Sequence, residues 1–122
     1  MGDEKVNSHK DLIVWQKSMD LVVEVYKLTK SFPDDERFGL TSQMRRAVVS
    51  IPSNLAEGKK RSSRKDFGRF VNIAYSSGAE LETQMEITKR LSFGKHEQIV
   101  LVNELLVEVM KMLNVFLYKL RT

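Results

Sequence analysis

Residues 39–74 read GLTSQMRRAVVSIPSNLAEGKKRSSRKDFGRFVNIA, and the fold turns on how this stretch is divided. Leu40, Met44, Ala47, Val48, Ile51 and Leu55 recur at helical spacing and share one face, so the first part is an amphipathic helix, expected over about 36–59. Pro52 falls inside that pattern. It lacks the N–H that would bond the Val48 carbonyl, and its ring crowds the same carbonyl, at about 3 kcal/mol in a helix interior. Two readings stand: a continuous helix with a kink, or a stop near Val49 and a restart with Ser50 as N-cap and Pro52 in the first turn. The apolar stripe keeps phase across the proline, which favours the first. Gly58 is expected as the C-terminal cap, with Lys59, Lys60 and Arg61 beside the negative helix end. SSRKD then opens a new helix at Ser62 or Ser63, where a hydroxyl N-cap and Asp66 approximate a capping box.

Outward from there, Phe67, Val71, Ala74, Gly78, Leu81, Met85 and Thr88 step by four and three along a third helix over about 63–91, the seam of a left-handed bundle. Its middle, AYSSGAE, is built of small residues that let a neighbouring backbone approach. SFGKH, residues 92–96, breaks the pattern at Gly94. The fourth helix, about 97–120, carries the seam Ile99, Val102, Leu106, Val109, Leu113, Phe116 and Leu120. On the N-terminal side, Leu12, Trp15, Met19, Val22 and Tyr26 define a first helix over about 11–30, with Asp11 as N-cap or first-turn acid and Pro33 of SFPDD ending it. Short connections imply antiparallel neighbours. The fold class is all-α: an up-down-up-down antiparallel four-helix bundle, with residues 1–122 forming one domain. The fourth helix holds more apolar surface than one groove covers. Val100, Leu101, Val107, Met110 and Val115 remain over, so the helix lies centrally or buries its second face against another subunit, and a homo-oligomer is expected.

Composition narrows the function. With 42% hydrophobic and 30% charged residues the chain belongs to the globular class. Zero cysteines rule out disulfides, thiolate metal sites and a cysteine nucleophile. MGDEKVNSHKD has no apolar core of a signal peptide, and no apolar run approaches a membrane span, so the expected location is the cytoplasm. His9 and His96 have no carboxylate at Glu-x-x-His spacing, and Glu80, Glu82 and Glu86 have Lys89 and Arg90 within helical reach as ion-pair partners. Neither a glycine-rich phosphate loop nor a nucleophile elbow is present. No catalytic residue, cofactor or metal is expected.

Charge points elsewhere. Residues 39–74 hold Arg45, Arg46, Lys59, Lys60, Arg61, Arg64, Lys65 and Arg69 against Glu57 and Asp66, a local net charge of +6 in a chain whose total is +4. Such a concentration either complements helix ends and is solvated, or contacts phosphates. Lys59 to Lys65 sit on a turn before the N-terminus of the third helix, an anion-favouring end. Arg45 and Arg46 lie three to four turns earlier and form a second locus. No aromatic interleaving among these cations suggests base stacking, so binding is expected mainly to the nucleic-acid backbone.

VWQK, FP-x-x-E-x-FGL, QMRRA, SIPSN-x-AEG and GAELETQ, within about residues 11–91, resemble the family of 23S rRNA intervening-sequence proteins, which includes the accessory variability proteins of diversity-generating retroelements. The resemblance implies a bacterial four-helix bundle that assembles as a ring, a homopentamer in known relatives, with basic surfaces for nucleic acid. It adds no catalytic residue. Retroelement members have a reverse transcriptase as partner. The expected function is noncatalytic nucleic-acid binding, RNA ahead of DNA. The alternative is an adaptor or assembly module for a protein such as a reverse transcriptase.

Overall fold

The structure is a computed structural model that describes His9 and residues 12–121. Four helices, α1 (Ile13–Thr29), α2 (Leu40–Lys59), α3 (Arg64–Arg90) and α4 (His96–Arg121), form an up-down-up-down bundle without strands among the described residues. Each helix packs on its two neighbours around a square, with α1 opposite α3 and α2 opposite α4. Antiparallel register is fixed by cross-helix pairs. Lys17 on α1 meets Glu108 on α4 at 3.3 Å, and the Ser77 hydroxyl on α3 donates to Ser50 Oγ on α2 at 2.8 Å.

α2 begins at Leu40, four residues later than its expected start, because Asp34–Glu36 form a 3-10 turn after Pro33. The Glu36 carboxylate accepts the Leu40 N–H at 3.1 Å and serves as a cap from outside the helix. The expected stripe from Leu40 to Leu55 is buried throughout, and α2 runs unbroken through Pro52. Gly58 is no cap. It lies inside the helix and buried, where an added Cβ would come within 2.7 Å of Phe70 Cβ. The close α2–α3 contact is therefore what requires glycine.

The third-helix seam is buried from Val71 to Thr88, with Phe67 half-buried. Ser63 is the N-cap, its Oγ accepting the Asp66 N–H at 3.0 Å. At the other end Ser92 takes the cap position usually held by glycine, with φ 58°. Phe93 N–H bonds the Thr88 carbonyl and Ser92 N–H that of Lys89, both at 3.1 Å, a Schellman pattern. The motif is tied down by Phe93, which packs on Phe32 with ring centroids 5.4 Å apart.

α1 presents a different face from the expected one. Its buried stripe is Val14, Ser18, Leu21, Val25 and Leu28, whereas Trp15 and Val22 are half-buried and Met19 and Tyr26 exposed. Both stripes are apolar, and the true one contains a serine, which disguised it. Ser18 is tolerated because its hydroxyl donates to the Trp15 carbonyl at 2.8 Å. Asp11, the expected N-cap, lies outside the described residues; the position before α1 is Leu12, without a side-chain cap. On α4, Met110 is buried rather than left over, filling the space above Gly78 of α3. Val100, Leu101, Val107 and Val115 remain exposed as expected.

Two substitutions test these local arguments by urea denaturation. Ser92→Gly removes a left-handed non-glycine residue and is expected to stabilise by about 1 kcal/mol. Gly58→Ala gains about 1 kcal/mol of helix propensity, yet is expected to destabilise by a net ~1–3 kcal/mol because Phe70 and Phe67 must move. A lower midpoint for the first, or a higher one for the second, contradicts the packing described.

Candidate nucleic-acid interface

The antiparallel order carries the N-termini of α1 and α3 and the C-termini of α2 and α4 to one end of the bundle. Lys59, Lys60, Arg61, Arg64, Lys65 and Arg69 come together there. They are joined by Lys119 and Arg121 of α4, which lie far from the basic stretch in sequence. The signal that could have found them was the chain order itself, since antiparallel pairing sets residue 119 opposite residue 64.

These cations are held in different ways. Lys59 Nζ sits 5.7 Å from the Phe67 ring centroid and the Arg61 guanidinium 4.6 Å from that of Phe70. Arg64 donates to the Lys119 carbonyl at the end of α4, so its charge also complements a negative helix terminus. Arg69 pairs with Asp66 at 3.5 Å, a contact of small energetic weight on an exposed surface. Lys60 and Lys65 are exposed, with no ion pair among the described residues. Asp66 in the first turn and the Ser63 cap already satisfy part of the α3 N-terminus, so anion attraction here rests on side chains more than on free N–H groups. Arg64, Lys65, Arg69 and Arg121 line a groove of about 510 Å³ between α3 and α4, with Asn72 as a neutral hydrogen-bonding group.

Arg45 and Arg46 lie elsewhere. Fourteen residues of helix separate Arg45 from Lys59, a rise of about 21 Å, so two loci occupy opposite ends of α2. Arg45 is built into the scaffold: its Nε donates to Thr29 Oγ1 at 2.9 Å, and its guanidinium lies 4.4 Å from the Tyr26 ring centroid. Arg46 is exposed. Aromatic rings accompany the cations at both loci, although the sequence pattern itself suggests no base stacking. Phe67 and Phe70 belong to the basic stretch itself, and their proximity follows from α2 and α3 folding back on each other. Tyr26 and Phe38 come from outside it.

The carboxylates of Glu80 and Glu86 on α3 are held in local contacts. Glu86 accepts from Arg90 Nε at 3.1 Å and lies 3.8 Å from Lys89 Nζ. The Arg90 hydrogen bond first, then the Lys89 charge, hold its carboxyl below the usual range. Glu80 accepts instead from Gln84 at 3.4 Å. No cluster of three metal-ligating side chains occurs among the described residues, and no described helix is long and apolar enough to cross a membrane.

Comparison with known proteins places this geometry in a family. A solved structure from Bacteroides thetaiotaomicron VPI-5482, a protein of unknown function from the S23 ribosomal protein family, is 28% identical to this chain. It superposes with a TM-score of 0.79 over 87% of this chain and 96% of its own. No curated protein matches. The family model of the 23S rRNA-intervening sequence protein matches residues 10–115, nearly the whole bundle and most of both basic loci, and the chain belongs to that family.

Proposed function

We propose that this protein is a noncatalytic, cytoplasmic nucleic-acid-binding protein that takes RNA ahead of DNA. The observation that carries the reading is the convergence of basic residues from α2, α3 and α4 on one end of the bundle, where those of α3 and α4 line a groove without an acidic residue in its wall. Contacts of this type are to phosphates; they fix position without reading sequence, and they release counterions. The family's association with an rRNA intervening sequence supports RNA over DNA.

The binding form we propose is a homo-oligomeric ring, a pentamer by resemblance to the family. Its physical motive is the α1–α4 face. Ile13 of α1 and Val115 of α4 are exposed and line an apolar groove of about 500 Å³ with Leu12, Val14, Met112 and Phe116. Val23, Val100, Leu101 and Val107 are exposed on the same two helices. Side chains of this size gain roughly 1.5–3 kcal/mol each on full burial. A heterologous contact that closes on itself buries them and repeats each basic end around one axis, so that weak phosphate contacts act together.

The second reading is an adaptor whose protein partner, such as a reverse transcriptase, takes the basic face. Ile73 and Ile87 on α3 and Leu91 at its C-cap favour it, since they are exposed outside the α1–α4 face. Pull-down with and without nuclease separates the two, because an RNA-mediated association disappears on digestion.

Changing Lys60, Arg61, Arg64 and Lys65 together to alanine is expected to weaken binding to structured RNA. The slope of log affinity against log salt should fall by about 3, since each phosphate contact contributes roughly 0.7–0.9. Unchanged affinity and slope would remove the turn from the interface and leave Arg45 and Arg46 as the candidates. Light scattering coupled to size exclusion is expected to give a multiple of the 14.1 kDa chain mass. A species of chain mass persisting at micromolar concentration would reject the oligomer, and a dimer would reject the ring while keeping the burial argument.

A further inference from the structure

Phe38 is 89% exposed, more than any other large hydrophobic side chain among the described residues. A single exposed apolar side chain is ordinary, but Phe38 is not isolated. It lines a cavity of about 460 Å³ at the start of α2 together with Tyr26, Arg37, Arg45 and Arg46, and no acidic residue lines it. The volume is in the range of small-ligand sites, about 300–1,000 Å³. Two cation–aromatic pairs form part of its wall: the Arg37 guanidinium 5.6 Å from the Phe38 ring centroid, and Arg45 4.4 Å from that of Tyr26. Arg45 is fixed by its bond to Thr29. The Arg37 and Arg46 side chains make no hydrogen bond or ion pair among the described residues, so their donors face solvent.

We infer that this cavity binds an unpaired nucleotide, the base stacking on Phe38 and the phosphate taken by Arg46 and Arg37. The inference rests on the nucleic-acid-binding reading and extends it from charge to base contact. Guanidinium groups alone would accept any anion. An exposed aromatic ring beside them selects an anion that carries a flat π-system, and a nucleotide joins the two at short range. A base inside a duplex already stacks on its neighbours, so the ring discriminates single strands from duplexes. The far side of Phe38 adds hydrogen-bonding capacity: a second concavity shares Phe38, Ser42 and Arg46 and is extended by Gln43 and Glu80, whose amide and carboxylate suit a base edge.

The test compares a labelled single-stranded oligouridine with an RNA duplex at one salt concentration, using the full chain. Stacking is worth ~1–3 kcal/mol per base, so Phe38→Ala is expected to weaken single-strand binding roughly ten-fold and leave duplex affinity unchanged. Phe38→Trp should restore it, with the new indole quenched on titration. Equal loss for strand and duplex, no loss for either, or a changed scattering mass in Phe38→Ala overturns the inference, the last by making Phe38 a subunit contact. A readout independent of the basic turn is saturable quenching of Phe38→Trp by uridine monophosphate, which should survive alanine at Lys60, Arg61, Arg64 and Lys65. If the wild type binds neither strand nor duplex, the proposed function fails; quenching by the mononucleotide then still supports the cavity as a nucleotide site, and its absence removes it. Comparing mononucleotide with oligouridine affinity tells whether the nucleotide arrives free or in a strand, and either supports the assignment.

Discussion

The bundle depends on the closeness with which α3 meets its two neighbours. Gly58 brings α2 against Phe67 and Phe70, and Gly78 seats Met110 of α4 where a side chain would otherwise stand. These two contacts lie on different faces of one helix and set how far α2 and α4 may slide along it. Register then determines what gathers at the ends. With α2 and α4 both antiparallel to α3, their C-termini share one end with the N-terminus of α3, and the charges at these termini have no separate places to go.

Part of that charge belongs to the scaffold. The carbonyls ending α2 and α4 favour cations, and Arg64 on Lys119 is such a contact. Arg45 likewise ties α2 to the last turn of α1 through Thr29. What remains beyond scaffold needs is Lys60, Lys65 and Arg121 at one end and Arg37 and Arg46 at the other, all exposed or lining open cavities. A helix terminus needs no more than about half an elementary charge to balance it. Among the described residues the basic end holds eight cations against Asp66 and Glu57, an excess that structural complementarity does not require and that a polyanion would use.

The third helix and the stripe of α2 were legible because each has a single apolar face interrupted by polar residues, so period and phase agree. α1 was legible as a helix but not in its orientation: Trp15, Met19, Val22 and Tyr26 mimic a core stripe, while the buried one includes Ser18, whose hydroxyl is satisfied locally and leaves no trace in the pattern. Gly58 looked like a cap because it preceded a run of lysines, and only the neighbouring helix reveals that its missing Cβ matters for packing. Arg61 and Lys65 could be read from the basic run itself. Lys119 and Arg121 could be reached only through the antiparallel chain order, and Tyr26 not at all, because exact proximity across helices is a property of register, and register is set by those same glycine contacts. Phe38 was quoted within a motif, yet its exposure depends on the 3-10 turn that delays the start of α2.

That α2 continues through Pro52 has a further consequence. A break at Val49 would turn the second half of the helix out of phase and lift Leu55 and Gly58 from the α3 contact, where Ile51 and Leu55 are fully buried. Burying two such side chains is worth roughly 3–6 kcal/mol, enough to offset the roughly 3 kcal/mol that an interior proline costs. Around the missing bond, Asn54 donates to both the Ser50 carbonyl and its hydroxyl, at 2.8 and 2.9 Å, and Ser77 donates to that hydroxyl from α3. The polar groups at this level are thus paired across the α2–α3 seam. Because α2 is continuous, Arg45 in the wall of the Phe38 cavity and Lys59 at the basic turn stay about 21 Å apart along the helix. A single ligand touching both must be several nucleotides long, and no mononucleotide or isolated phosphate can bridge them.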